Sequence, residues 1–273
     1  MQSAGLASGG LGAFQVLASK TARRLSRVSI MVFPGMIQIE ARHSAAVAWH
    51  KGTAHDRYED RYRLLGRGIA FVDALQRGEL FAIADGLGDT ECAAQAAQLL
   101  CDRIIDFFRP ETTAEPTTRA LLDWVRDVQA QILAWGRDAR GWPRGAASAT
   151  VLWLHDGHAH VVQAGDTWAA IVRSGVVIPL SQRRRSVYGL RACLGADDLE
   201  LAIETTPFAE GDRFVLATNA VADRLSAQRI ASMVEAQPTP SRAAEAVLRA
   251  ALGDGRSDAT VIVIDPEADE PAC

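Results

Sequence analysis

No run of about 18 apolar residues occurs in the 273-residue chain, so no membrane span is expected. Cysteine is sparse. Cys92, Cys101, Cys193 and Cys273 form no C-x-x-C pair and read as reduced thiols, which points to a cytoplasmic protein. Lysine is almost missing. Lys20 and Lys51 are the only two, and arginine supplies the other basic residues, which reflects genome composition rather than mechanism. An excess of positive charge is missing as well. Lys and Arg number 29 against 33 Asp and Glu, a net −4, so a basic nucleic-acid-binding domain is not expected, although a local basic patch stays open. Repeats of about 20 to 50 residues are absent.

Acidic residues are lacking in one region. Residues 1–36 hold Lys20, Arg23, Arg24 and Arg27 and no acid; the first acid is Glu40. That segment carries +4 and leaves −8 for the rest. Its Ser, Ala and Gly content fits a transit peptide, or a loosely ordered extension over residues 1–43 with Met31 and Met36 as later starts. The extension is the simpler account. Ser8-Gly9-Gly10 and Gly12 break any apolar core of a secretion signal.

What is present is an ordinary globular balance, 48% apolar and 23% charged residues, in a chain long enough to bury a core without disulfides or structural metal. The folded domain is expected over residues 44–265. Ser44–Trp49 reads as a strand, Ile69 and Phe71 stand two apart as on a short strand, and Glu79–Ala84 is an apolar run ending at Asp85-Gly86. Two helices follow. Ala93, Ala97, Leu100, Ile104 and Phe108 share one face of the first; Leu121, Trp124, Val128, Ile132 and Trp135 share one face of the second, after Pro116. Strands are expected over 148–154, 158–164, 168–173 and 176–180. Asp156-Gly157, Gly165-Asp166 and Ser174-Gly175 are hairpin chemistries between them. Further strands are expected over 199–205, 212–218 and 259–264, with Ser226 and Ser241 as N-caps of two helices. Strands and helices come in blocks, so the class is α+β: two packed antiparallel sheets flanked by helix pairs. The tail after Pro266 is acidic and expected to be loose.

Acidic residues recur at strand ends and turns: Asp60, Asp85, Asp166 and Asp258. Each alone is an ordinary turn residue. Together they are oxygen donors of the kind that Mg²⁺ and Mn²⁺ require.

Their order along the chain resembles the metal-dependent PPM (type 2C) protein phosphatases, over about residues 44–265. The matches are His55–Arg61 for an Arg…Asn-Glu-Asp-type motif, Phe81–Asp89 for a strand entering Asp-Gly-x-Gly-Gly, and Gly145–Ser148 for Gly-Thr-Thr. They continue with Gly165–Trp168 for Gly-Asp-Ser-Arg, Leu190–Gly195 for Leu-x-Arg-x-Leu-Gly, Gly211–Asp223 for Gly-Asp…Ser-Asp-Gly-Leu-x-Asp, and Ser257–Val261 for Asp-Asn-x-Thr-Val. The resemblance implies an α-β-β-α sandwich and a binuclear Mg²⁺ or Mn²⁺ site. There a bridging water would attack the phosphorus of phosphoserine or phosphothreonine. It implies that Asp85 bridges both ions and that the Gly86 carbonyl serves one. Asp258 and Asn219 would serve the other, Asp60 would hold metal-bound water, and Asp166 would belong to a third, weaker site.

The departures are equally specific. The ligand Asp of Ser-Asp-Gly is Asn219, which removes one negative charge, and Ala220 follows where a Gly is usual, so crowding of a tight turn is expected. The phosphate-gripping Arg is His55, which lacks the bidentate fork. Asp89 stands for a Gly, Trp168 for an Arg, and Gln182-Arg183 for an Asp-His pair. Asp223 and Asp89 are candidates to compensate. Two outcomes stay open: a divergent protein serine/threonine phosphatase, or a pseudophosphatase or phosphoprotein-binding module with a weakened metal site. The partner implied is a phosphorylated protein, with a cognate Ser/Thr kinase in the same signalling system; nucleic acid and membrane are not expected, and monomer is the default. Arg183-Arg184-Arg185 falls where substrate-contact loops lie and also reads as a solvated loop. His155, His158 and His160 read as exposed hairpin residues, and Cys193 as inert.

Overall fold

The structure, a computed structural model, describes residues 36–108, 117–182 and 192–266. Two antiparallel sheets form its centre. One comprises β1 (Ile37–Ala41), β2 (Ala45–His50), β7 (Trp168–Arg173), β8 (Val176–Pro179), β10 (Arg213–Ala217) and β11 (Ala259–Ile264), in the order β1-β2-β11-β10-β7-β8. The other runs β3 (Asp60–Leu65), β4 (Glu79–Gly86), β5 (Ala147–His155), β6 (His158–Ala164) and β9 (Ala202–Pro207). The α+β class follows as expected.

Alternation along each strand sorts side chains to two faces. On the outer face of the five-stranded sheet, Leu80, Ala82, Ala84, Val151 and Trp153 pack with Ala97 and Leu100 of α2 (Ala93–Arg103) and Leu121, Val128 and Ile132 of α3 (Thr118–Leu133). On the outer face of the six-stranded sheet, Ala48, Val215, Val261 and Val263 pack with Ile230 and Val234 of α5 (Ala227–Glu235) and Ala244, Val247 and Leu248 of α6 (Pro240–Ala251). The alternate residues Phe81, Ile83, Leu152, Phe214, Leu216 and Ile262 are also buried and face between the sheets. Each such side chain contributes roughly 2 kcal/mol by leaving water.

Several local expectations change. Ile69 and Phe71 do not form a strand. Ile69 is the N-cap of a short helix, α1 (Ala70–Leu75), because two apolar residues standing two apart are too short a pattern to distinguish the two periods. The strand beside β4 is instead β3, whose Arg61 and Arg63 look like loop residues. They lie along α2, where Arg63 donates to the Cys101 carbonyl (2.9 Å) and Arg61 to Gln98 (2.6 Å). The sheet starts earlier than Ser44, at Ile37. Ser226 caps α5, but the cap of α6 is Thr239, not Ser241. Pro240 at the first helical position was the signal. Gly165-Asp166 is not a hairpin: β6 and β7 lie in different sheets. No helix among the described residues is long and apolar enough to cross a membrane. Residues 1–35, Pro116, Arg183–Arg185, Leu190 and the tail from 267 lie outside the described residues.

Candidate active site

The crossing at Gly165-Asp166-Thr167 places the first acid. Gly165 has φ +86°, and a Cβ there would run into Ser148, so glycine is required on both counts. Beyond it, Thr167 is buried with its hydroxyl 2.7 Å from that of Thr150, and its carbonyl accepts from the Gln163 amide at 2.5 Å. Asp166 is thereby held beside Ser148, whose hydroxyl donates to its Oδ1 at 3.0 Å.

The second and third acids come from paired strands. The β3–β4 register sets Asp60 directly opposite Asp85. Both carboxyls sit at the same end of the sheet, with Gly86 finishing β4. Gly86 lies against the first turn of α2: a Cβ would stand 2.7 Å from the carbonyl carbon and oxygen of Ala93. Gly86→Ala is therefore expected to cost about 2 kcal/mol in urea unfolding, by forcing α2 away from the strand end. An unchanged unfolding midpoint would contradict this packing.

The fourth acid, Asp258, precedes β11. Its Oδ1 accepts from the Gly52 amide (2.8 Å) and its Oδ2 from the Glu59 amide (2.6 Å). It thus ties the loop after β2 to the start of β3. Asn219 begins a one-turn helix, α4 (Asn219–Ala222), at the end of β10.

These elements enclose a cleft of about 480 Å³, lined by His55, Glu59, Asp85, Gly86, Asp166, Asn219 and Asp258 among others. No Arg or Lys lines it among the described residues. His55 Nδ1 is 3.7 Å from the Glu59 carboxylate. Burial, then the nearby Asp258 charge, pushes the Asp60 carboxyl up to about 7. Burial, then Asp60 and Asp166, raises Asp85 well above the usual carboxylate range. Asp60 Oδ1 is buried with no hydrogen-bond partner.

This electrostatic load has a sign. A carboxyl whose folded pKa is raised contributes stability below its unfolded value, near 3.8, and loses it as pH rises through about 7. The chelator-treated protein is expected to melt lower at about pH 8 than at about pH 5.5, and Asp60→Asn to flatten that slope. Equal slopes in parent and variant, followed by circular dichroism, would contradict the assignment.

A family profile described as Protein phosphatase 2C matches residues 68–254. The chain belongs to the protein phosphatase 2C family. Solved structures share the fold of this protein phosphatase 2C chain at low identity. The Mycobacterium tuberculosis serine/threonine phosphatase PstP/Ppp is 19% identical, covers 85% of this chain and 100% of its own, and has a TM-score of 0.66. The catalytic domain of PstP in complex with two manganese ions is 18% identical over 84% of this chain and 99% of its own, with a TM-score of 0.64. The PPM Ser-Thr phosphatase MsPP from Mycobacterium smegmatis, in complex with cacodylate, is 19% identical over 84% and 100%, with a TM-score of 0.63. No curated protein matches the chain.

Within this protein phosphatase 2C fold, the donor set fits a hard divalent cation: carboxylates, an amide oxygen and a backbone carbonyl, with one imidazole, His55, and one thiol, the buried Cys193, beside them. The orphaned Asp60 Oδ1 and the raised proton affinities of Asp60 and Asp85 are what a carboxylate cluster shows when nothing neutralises it. The set is also lean. No group of three or more His, Cys, Asp or Glu side chains stands at metal-binding geometry among the described residues.

The structure brings His55, Asp85, Gly86, Asp166, Asn219 and Asp258 to one cleft and puts Asp60 behind it. Asp89 lines the cleft; Asp223 does not, standing at the C-terminal end of α4. Ala220 crowds nothing. It lies in a helical turn and packs against the core of the six-stranded sheet, and Trp168 has joined that core. The sequence reading missed Glu59 as a cleft residue, although its neighbour Asp60 was singled out. Cys193 lines the cleft but is buried, and burial pushes its thiol up to about 12, so it stays protonated. His155 and His160 both stack on Trp153, at 5.0 and 4.6 Å between ring centroids, so they are sheet-packing residues more than free hairpin ones.

Proposed function

We propose that this protein hydrolyses phosphoserine or phosphothreonine in a phosphorylated protein, with Mg²⁺ or Mn²⁺ as its cofactor. The observation that carries this reading is Asp85 at the end of β4 and Asp258 just before β11 of the other sheet, both on one cleft, with Asp60 buried opposite Asp85 behind it. Asp85, Asn219, Asp258 and the Gly86 carbonyl would hold two divalent ions, with Asp166 beside a third, weaker position. Bound there, the ions supply an activated water as nucleophile and neutralise the phosphoryl oxygens. Asp60 accepts a proton or hydrogen bond from the nucleophile's side, Asp258 fixes the loop that carries His55 and Glu59, and His55 meets the phosphoryl group.

One observation favours a second reading, a pseudophosphatase or phosphoprotein-binding module. His55 is the sole basic group lining the cleft among the described residues, and Glu59 stands beside it. A phosphothreonine peptide incubated with the protein separates the two. The enzyme reading expects the peptide to lose phosphate in Mn²⁺. The module reading expects an intact peptide whose binding, followed by calorimetry, is indifferent to Mn²⁺ and to chelator.

A further inference from the structure

Behind Asp60 lies a chain of hydroxyls that the cleft itself does not contain. Thr260, fully buried on β11, donates through Oγ1 to Asp60 Oδ2 at 2.6 Å. The Tyr58 hydroxyl is 2.5 Å from the same Oγ1. A threonine hydroxyl has one proton. When Asp60 is ionised, that proton goes to the carboxylate, Tyr58 donates to Thr260, and the chain runs from Tyr58 to Thr260 to Asp60.

The surroundings fix both ends. The Thr260 amide donates to Thr218 Oγ1 (3.0 Å), and the Thr218 amide returns to the Thr260 carbonyl (3.0 Å), so the threonine backbone cannot shift. The Tyr58 ring stacks on Trp49, with centroids 4.7 Å apart, and the Arg61 guanidinium lies over the ring, 5.7 Å from its centroid, while donating to the Tyr58 carbonyl. Tyr58 stands in the first place of the Asn-Glu-Asp-type motif, where a shorter side chain would be the expected residue. The ring carries a hydroxyl from the loop to a threonine some 200 positions away in sequence.

We infer that Tyr58 is a positioning residue: its hydroxyl orients the Thr260 proton onto Asp60 Oδ2, so that Oδ1 is the oxygen presented towards Asp85 and the cleft. Oδ1 is the atom left without a partner, and the register sets it on the carboxyl facing Asp85. Without the tyrosine donor, the Thr260 hydroxyl proton is no longer committed to Oδ2, and the Asp60 carboxyl is left to Thr218 and Asp85 for its orientation. The inference rests on the proposed role of this cleft as a divalent-ion site.

The test is Mn²⁺ binding by calorimetry on the full chain, alongside phosphopeptide turnover, for the parent, Tyr58→Phe, Thr260→Val, the double variant and Thr260→Ser. Tyr58→Phe is expected to weaken Mn²⁺ binding about tenfold, the low end of what losing an outer hydrogen-bond partner costs a metal site. Because Tyr58 acts only through Thr260, the double variant is expected to bind no more weakly than Thr260→Val alone. Thr260→Ser, which keeps the hydroxyl, is expected to bind like the parent and guards against a folding defect in the valine variant. Parent-like Mn²⁺ binding by Tyr58→Phe, or additive losses in the double variant, would overturn the positioning role while leaving the metal site standing. A parent that binds no Mn²⁺ would overturn both. A parent that binds Mn²⁺ without turnover would overturn only the enzyme reading, and the binding series still decides the role of Tyr58.

Discussion

Asn219→Asp is expected to tighten Mn²⁺ binding and raise phosphate release at sub-saturating Mn²⁺ by about 10- to 100-fold, less than the ~10²–10³ that one well-placed donor supplies directly to a transition state. Asn219 lines the cleft at the start of α4, on the side formed by β10 and β11, where Asp258 is the other oxygen donor. An amide oxygen there carries no net charge; a carboxylate adds one. The same change should act oppositely on the metal-free protein. A further carboxylate joins a cluster in which burial, then Asp258, raises Asp60, and burial, then Asp60 and Asp166, raises Asp85. The variant is therefore expected to melt lower than the parent in chelator and higher in Mn²⁺. If both melting curves and the Mn²⁺ affinity stay at parent values, Asn219 does not face the ion, and its substitution says nothing about activity.

Asp85→Asn is expected to lower turnover by about 10³-fold or more, to background. It should also raise the stability of the chelator-treated protein at about pH 8. These opposite directions have one cause. Asp85 is loaded by its surroundings, through burial and then through Asp60 and Asp166. Neutralising it relieves that load and removes the charge on which the ions depend. Asp258→Asn makes an informative contrast. Both Asp258 oxygens accept backbone amides, from Gly52 and Glu59, and an asparagine must turn its own NH₂ towards one of them. That leaves one amide unsatisfied, at about 1–3 kcal/mol. So the Asp85 variant should lose activity with a gain in metal-free stability, and the Asp258 variant should lose both. Parallel losses of stability in the two variants, measured by urea unfolding, would contradict the different environments assigned to them.

Much of this was legible in residue order. The last strand was readable residue for residue, because Ala259–Ile264 is an apolar, β-branched run after Ser257-Asp258. The helices over Ala93–Arg103 and Thr118–Leu133 were readable from their 3.6-residue stripes. Strand β3 was not, since its arginines are covered by α2 and only the packing makes that visible. The Gly165-Asp166 turn was readable as a turn, but no dipeptide states whether the next strand pairs with the last or leaves for the other sheet. The acids of the site were visible as a set. Their relations were not: the opposition of Asp60 and Asp85 depends on register, and the double capping by Asp258 on a loop folded back from β2. The harmless placement of Ala220 depended on a helical turn that a motif comparison reads as a tight one.

The central claim is that Asp85 and its neighbours support metal-dependent hydrolysis of a phosphorylated Ser or Thr. It is tested most directly by phosphate release from a phosphothreonine peptide in Mn²⁺, in Mg²⁺ and in chelator, with Asp85→Asn run beside the parent. The predicted result is turnover in a divalent cation, lost in chelator and lost in the variant. Turnover in millimolar Mn²⁺ no higher than that of Asp85→Asn would contradict the enzyme reading.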